Sequence, residues 1–267
     1  MKVRLAMPRE AATIAALMRD SFDRATLGLT VYGCSGIARY LETRMRLPAA
    51  LNDCRHLLGF TAERAAGFAE MRLLADAVCL NYIAVARERR GAREGDRLFL
   101  RALELASEDR HAAVVLDVFA SNSVSLGWYR KLGFESGRET DWWSLPMGFY
   151  RASDGAAGRC QADGLPEAEA CERIYGFSRF ELSTPRASYR IGRLAGRWFR
   201  TADPRLVDDE CAIACLALLD PSRKILGLFP PDFDVGNHRD ARRLDRSVRM
   251  RCGADELRAR LAKRIGV

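Results

Sequence analysis

An α/β fold on a mixed sheet, followed by a smaller α+β domain, is predicted by three features of the sequence. Over residues 1–151, short apolar or alternating runs are interleaved with amphipathic stretches. The run richest in β-branched residues, AAVVLDVFA at 112–120, lies between two such stretches, as a strand covered by helices does. ASDGAAGRCQADGLP at 152–166 is rich in Gly, Ala and Asp and reads as a linker. It separates a domain over 1–151 from one over 167–267.

The elements follow in order. KVRLAM (2–7) alternates Val3, Leu5 and Met7 and predicts a strand. Pro8 opens a helix, a position where proline costs nothing. A second helix is expected over 36–46. RHLLGFTAE and AAGFAEMRLLA read as two strands joined near Glu63 to Gly67, and AVCLNYIAV (77–85) as a central one. Residues 96–107 place Leu98, Phe99, Ala102, Leu103 and Leu105 largely on one helical side. SVSLGWYRKLGF predicts a helix stopped at Gly133, a glycine just past a helix end. DWWSLPM is expected as the last strand of this domain.

In the C-terminal part a helix is expected over 166–175. Strands are expected in SRFELST, in RASYRIGRLAGRWFRTA around a glycine turn, and in CAIACLALLDPSRKILGLF turned at Asp220-Pro221. GADELRARLAKRI reads as a helix, with Asp255 and Glu256 near its start and Lys263 and Arg264 near its end, matching the helix dipole.

The 267 residues allow one large domain or two ordinary ones, and 48% hydrophobic with 29% charged residues is the balance of a soluble globular chain. The net charge of +8 favours acidic partners without choosing among them. RDARRLDRSVRMR (239–251) is basic but interrupted by Asp240 and Asp245, so a solvated surface is the simpler reading and nucleic acid is disfavoured as a partner. No apolar run approaches the roughly 20 residues of a membrane span. No signal peptide is read at the N-terminus, and a cytoplasmic location is expected. The eight cysteines form no C-x-x-C pair and are expected as free thiols, and no metal site is predicted.

Two motifs carry chemistry. In NYIAVARERRGAREGDRLF a strand ending at Val85 runs into a basic glycine loop and then a helix beginning near Asp96. A helix N-terminus offers unpaired N–H groups to an anion, and Gly91 and Gly95 free the backbone to approach one. Arg93 stands between them. It fits if its φ is negative and its side chain points outward, where a guanidinium can reach phosphate. Otherwise the cradle is narrowed, or the segment is only a basic turn before a capped helix. The second motif is VFASNSVSLGWYRKLGFE, with Asn122, Tyr129, Lys131, Gly133 and Phe134.

With these motifs, the first part resembles the GNAT acetyltransferase superfamily. The family pattern Arg-x-x-Gly-x-Gly/Ala falls on Arg90, Arg93 and Gly95, and its Asn-then-Tyr helix on Asn122 and Tyr129. The resemblance implies an acetyl-CoA-dependent N-acetyltransferase acting on a primary amine, borne by a small molecule or a protein, by direct attack on the thioester. It implies that Ile83, Ala84 and Val85 flank the pantetheine arm where their strand splays from the next. It assigns the cofactor region to Arg90, Gly91, Arg93, Gly95, Asp96, Asn122 and Tyr129. Tyr129 would protonate the departing thiolate, although it also reads as an aromatic packed on the sheet, and Asn122 reads equally as an N-cap.

The base is less defined. The comparable strand position, near Cys79, carries no base. Glu70 is the candidate, with an exposed strand residue as the other reading, and water-mediated deprotonation stays open. His56 and His111 read as surface or hydrogen-bonded groups. Acceptor and oligomeric state are not encoded legibly. A catalytically inactive acyl-CoA sensor or scaffold is the alternative. The C-terminal domain could shape the acceptor site, bind a partner or be a degenerate repeat. ERIYGFSRFELST faintly echoes YRKLGFESGRET, a match that chance accounts for.

Overall fold

The computed structural model describes residues 1–107, 111–147, 157–234, 236 and 240–267. In chain order the elements are β1 (Lys2–Leu5), α1 (Ala11–Ser21), α2 (Arg24–Leu27), α3 (Ile37–Met45), β2 (Cys54–Thr61), β3 (Arg64–Leu73), β4 (Ala77–Val85), α4 (Glu94–Ala106), β5 (Ala113–Phe119), α5 (Ser123–Lys131) and β6 (Glu135–Pro146). The rest are β7 (Gln161–Asp163), α6 (Leu165–Tyr175), β8 (Phe177–Ser183), β9 (Ser188–Leu194), β10 (Trp198–Thr201), α7 (Glu210–Leu219), β11 (Lys224–Phe229), β12 (Arg242–Gly253) and α8 (Ala254–Ile265). None of the described helices is long and apolar enough to cross a membrane.

The chain divides into two compact units, but not at 152–166. Unit 1 is Met1–Leu27, Ile37–Arg138 and Val248–Val267, and unit 2 is Gly28–Gly36 and Glu139–Ser247. The expected linker lies partly outside the described residues, and its described end already carries β7 and the start of α6. The C-terminal strand half and α8 belong to the first unit because Leu257 and Leu261, both fully buried, join the core that covers β4 and β5. Burying such a leucine stabilises by about 1.5–3 kcal/mol.

In unit 1 the strand order is β1-β2-β3-β4-β5-β12. β1 through β4 pair antiparallel, and β4 pairs β5 in parallel through the α4 crossover. The β2–β3 hairpin turns on Ala62 and Glu63, both at positive φ (48° and 60°), the twist that a two-residue hairpin loop needs. Val78, Leu80, Val114 and Leu116 pack against Leu98, Phe99 and Leu103 of α4. α5 is closed by Gly133 at φ +86°, a conformation that favours glycine, with the Arg260 guanidinium lying over it.

In unit 2 the order is β12-β6-β11-β10-β9-β8-β7. β7 through β10 pair antiparallel, β10 pairs β11 in parallel, and β11 pairs β6 antiparallel. The glycine turn between β9 and β10 is Ala195–Gly196, both at positive φ. The connectivity β8–β9–β10–α7–β11 repeats β2–β3–β4–α4–β5 of unit 1. The echo at ERIYGFSRFELST falls on α6–β8, which in that connectivity corresponds to α3–β2, so it does not mark the repeat.

Two expectations are corrected. CAIACLALL is not a strand but α7: Asp209 caps it by accepting the Ala212 N–H at 3.1 Å, and Ile213 is its one β-branched residue. The basic stretch 239–251, whose first residue lies outside the described set, is not only a solvated surface, with Arg242, Arg243, Arg249 and Arg251 exposed, but most of β12. There Val248, Met250 and Cys252 turn inward at period two, while Arg249 reaches Asp117 at 2.8 Å. β6 also starts earlier than expected, at Glu135.

Candidate active site

β4 organises the site in unit 1. Its first half pairs β5 from Ala77↔Ala113 to Leu80↔Leu116, and the register with β5 ends there. On its other edge β4 stays paired with β3 to Val85, through Ala69↔Ile83, Phe68↔Ala84 and Gly67↔Val85. The β5-facing edge of Ile83, Ala84 and Val85 is therefore outside that strand pair. A register shift sits where Glu70 faces Tyr82 and Met71 faces Leu80, so Asn81 is the extra residue of a β-bulge.

The bulge aims Asn81 at Glu70. Asn81 Nδ2 donates to Glu70 Oε1 at 2.5 Å, and His56 Nε2 lies 3.5 Å from Glu70 Oε2. His56 and Glu70 face each other directly across β2 and β3. Glu70 is 7% exposed and His56 5%, so neither is the surface residue that an alternating strand suggested. His111 is buried too, its Nε2 3.2 Å from the Leu74 carbonyl oxygen. Cys79 lies one turn of the pleat before the bulge, and burial pushes its thiol up to about 11.

The glycine loop leads from β4 into α4. Gly91 has φ +83° and nothing within 4 Å of where a Cβ would sit. Arg93 is the N-cap of α4 at φ +58°, ψ 18°, a left-handed conformation, against the negative φ expected of it. Its guanidinium donates to the carbonyl of Arg264 in the last turn of α8, so the side chain serves a helix C-terminus. The backbone thus takes the glycine-like shape that the loop requires, with arginine in place. The first ladder bond of α4 runs from Arg97 N–H to Arg93 O at 3.1 Å, which leaves the amides of Glu94, Gly95 and Asp96 ahead of the ladder.

Arg90 and Asp96 are also engaged internally. Arg90 Nε donates to Val85 O at 3.0 Å and its Nη2 to Ser21 O at 3.2 Å. The Asp96 carboxylate is 2% exposed and accepts from Trp128 Nε1 at 2.7 Å and Arg264 Nε at 3.0 Å. A Cβ on Gly95 would meet the Trp128 ring at an ordinary 3.5 Å, so close approach rather than crowding describes that glycine.

Asn122 is the N-cap of α5, its Oδ1 accepting the Ser125 N–H at 3.1 Å. Tyr129, about two turns further on, is 6% exposed. Its ring lies 5.0 Å from Trp128 and 5.6 Å from Phe134, the latter edge-on. Burial pushes its phenol well above the usual range, so the hydroxyl keeps its proton at neutral pH.

The structure thus gathers Glu70 with His56 and Asn81, and Asp96 with Trp128 and Arg264. Sequence reasoning gave His56 little weight and passed over Asn81, Trp128 and Arg264 as site-forming residues. Only Asn81 carried a local signal, a polar residue interrupting an apolar strand. Arg264 lies 168 positions from Asp96, beyond any local pattern.

The family model described as "Acetyltransferase (GNAT) family" matches residues 25–134. No curated protein matches the chain. Among solved structures, the fold is similar to a tandem GNAT protein from the clavulanic acid biosynthesis pathway, with TM-score 0.66, 12% identity, and coverage of 95% of this chain and 98% of that one. It is also similar to a putative acetyltransferase from Pyrococcus horikoshii, with TM-score 0.60, 15% identity, and coverage of 94% and 89%. The family match spans the bulged β4, the glycine loop and the Asn122–Tyr129 helix, so residues 25–134 of this chain match the GNAT acetyltransferase family model.

Proposed function

We propose that unit 1 is an acetyl-CoA-dependent N-acetyltransferase that acetylates a primary amine by direct attack on the thioester. The observation that carries the reading is the parting of β4 from β5 after Leu80, directly ahead of a left-handed glycine loop and a helix N-terminus. The open edge of Ile83, Ala84 and Val85 suits the amide groups of a pantetheine arm. Gly91, Gly95 and the leading amides of α4 suit a pyrophosphate.

In the reaction the amine nitrogen bonds to the acetyl carbonyl carbon, and the tetrahedral intermediate then breaks its C–S bond. Tyr129, a phenol protonated at neutral pH, gives its proton to the leaving thiolate. The amine proton passes to Glu70, directly or through water, with Asn81 and His56 orienting the carboxylate.

One set of contacts favours the alternative of a catalytically silent acyl-CoA sensor. Arg90 and Arg93, the loop's candidate phosphate ligands, both donate to carbonyls of the chain itself. Thermal unfolding with acetyl-CoA, followed by thiol release across a panel of amines, separates the readings. A rise in Tm with turnover supports the transferase. A rise without turnover supports the sensor, and no rise at millimolar acetyl-CoA removes both.

A further inference from the structure

Unit 2 repeats the connectivity of unit 1 but fills its own anion position. At the start of α7, Asp209 is fully buried, and its Oδ2 accepts from Thr184 Oγ1 at 2.7 Å and from the Tyr189 hydroxyl at 2.9 Å. Its Oδ1 caps Ala212 N–H. A pyrophosphate at this helix N-terminus would meet a carboxylate already satisfied by three donors. The repeated fold therefore does not offer a second cradle of the first kind.

It offers a different one. A pocket of about 670 Å³ lies over β8, β9 and β10, lined by five arginines and a single acidic residue, Asp203. The strand register explains how it forms. Arg179 of β8 and Arg200 of β10 are both opposite Gly192 of β9, so two guanidinium-bearing residues flank a position with no side chain. The slot follows from that glycine: a Cβ at 192 would come within 3.3 Å of Arg200 Cβ. Arg190, two residues away on β9, points to the same face. Some of the charge is balanced, Arg190 by Glu181 at 3.0 Å, Arg205 by Asp203 at 2.6 Å and Arg193 by Glu172 at 2.5 Å. Arg179 makes no ion pair with a described residue. The Arg200 guanidinium is braced over the Trp142 ring at 5.5 Å. Phe177, Leu194 and Leu228 supply apolar wall.

We propose that this pocket is a binding site for a small molecule carrying two or more carboxylate or phosphate groups, seated between Arg179 and Arg200 over Gly192. Guanidinium forks match both anions in geometry, and the glycine gap lets the anion reach the sheet. The site is distinct from the acetyl-CoA cleft proposed for unit 1 and does not depend on it.

The test is calorimetric titration of the full chain with citrate and, separately, with inorganic pyrophosphate, the substitutions at Arg179 and Arg200 distinguishing this pocket from the loop before α4. Saturable binding of at least one probe is expected. Substituting Arg179→Ala together with Arg200→Ala is expected to weaken it by about tenfold or more, the loss of a charge-assisted pair. If that double variant does not fold, Arg179→Ala alone is read in the same way. A preference for citrate assigns a carboxylate ligand, and one for pyrophosphate a phosphate. The proposal is overturned if neither probe saturates at millimolar concentration, or if the substitutions leave affinity unchanged.

Discussion

The indole of Trp128 donates to Asp96 at 2.7 Å, joining α5 to the first turn of α4 beneath the glycine loop. The other oxygen of the same carboxylate accepts from Arg264 of α8. One buried carboxylate thus ties α4, α5 and α8 together.

Removing that anion is expected to be costly. Asp96→Ala leaves an indole N–H and a guanidinium facing apolar surroundings, and should lower the unfolding free energy by about 3 kcal/mol. Asp96→Asn keeps an acceptor for Trp128 and should lose about half as much. Urea denaturation of the two variants decides this. Equal, small losses would mean that the carboxylate is not the tie between the helices.

Arg93 gives a sharper contrast because two effects oppose each other. A left-handed non-glycine residue costs about 1 kcal/mol, and its bond to the Arg264 carbonyl returns about as much. Arg93→Gly relieves the first while losing the second and should be nearly neutral. Arg93→Ala keeps the strained backbone, loses the bond, and should be destabilised by about 1 kcal/mol. Acetyl-CoA affinity should be unchanged in the glycine variant, since the guanidinium serves α8. A marked loss of affinity there would show that Arg93 turns to the phosphates when the ligand binds.

These residues also mark the limit of what the sequence discloses. β4, the loop, α4 and the Asn122 cap were legible because strand alternation, glycine punctuation and capping are local. α7 was misread because a nine-residue apolar run has no polar face to set its period. The allotment of β12 and α8 to unit 1 was illegible for a different reason. Val248, Met250 and Cys252 alternate clearly, yet nothing local names the strand they will lie beside. The true partners of Asp96 and Arg93 arrive with that C-terminal segment, so the loop chemistry inherited the same blindness.

Acid stability should report the ion pair at the start of β12. The hydrogen bonds from Arg246 to Asp141, at 2.6 and 2.9 Å, hold its carboxyl below the usual range. A carboxyl with a depressed folded pKa stabilises fully above its unfolded value, about 4, and loses that contribution as pH falls through the folded value. Asp141→Asn should therefore be less stable than the parent at neutral pH. The two should converge as pH falls below about 4. Parallel denaturation curves down to low pH would assign the effect to packing instead.

Glu70→Gln tests the base. The amide preserves shape and can still meet Asn81, but takes no proton. Turnover at neutral pH is expected to fall by about tenfold to a hundredfold. Raising the pH should recover part of the loss, because a greater share of the amine is then already deprotonated. A deficit independent of pH would make Glu70 a positioning residue that shapes the bulge at Asn81.

Tyr129→Phe separates packing from chemistry most cleanly. The ring keeps its contacts with Trp128 and Phe134, so stability should change by less than about 1 kcal/mol. Acetyl-CoA should shift the melting temperature as in the parent. Thiol release, if Tyr129 is the acid, should slow by about a hundredfold. A phenol is protonated at neutral pH with or without burial, so the hydroxyl carries its proton when the thiolate departs. Burial makes it a weaker acid than a free phenol, so the proton must move as the C–S bond breaks and not before it. An unchanged rate in the phenylalanine variant would hand that proton to water and leave Tyr129 as core.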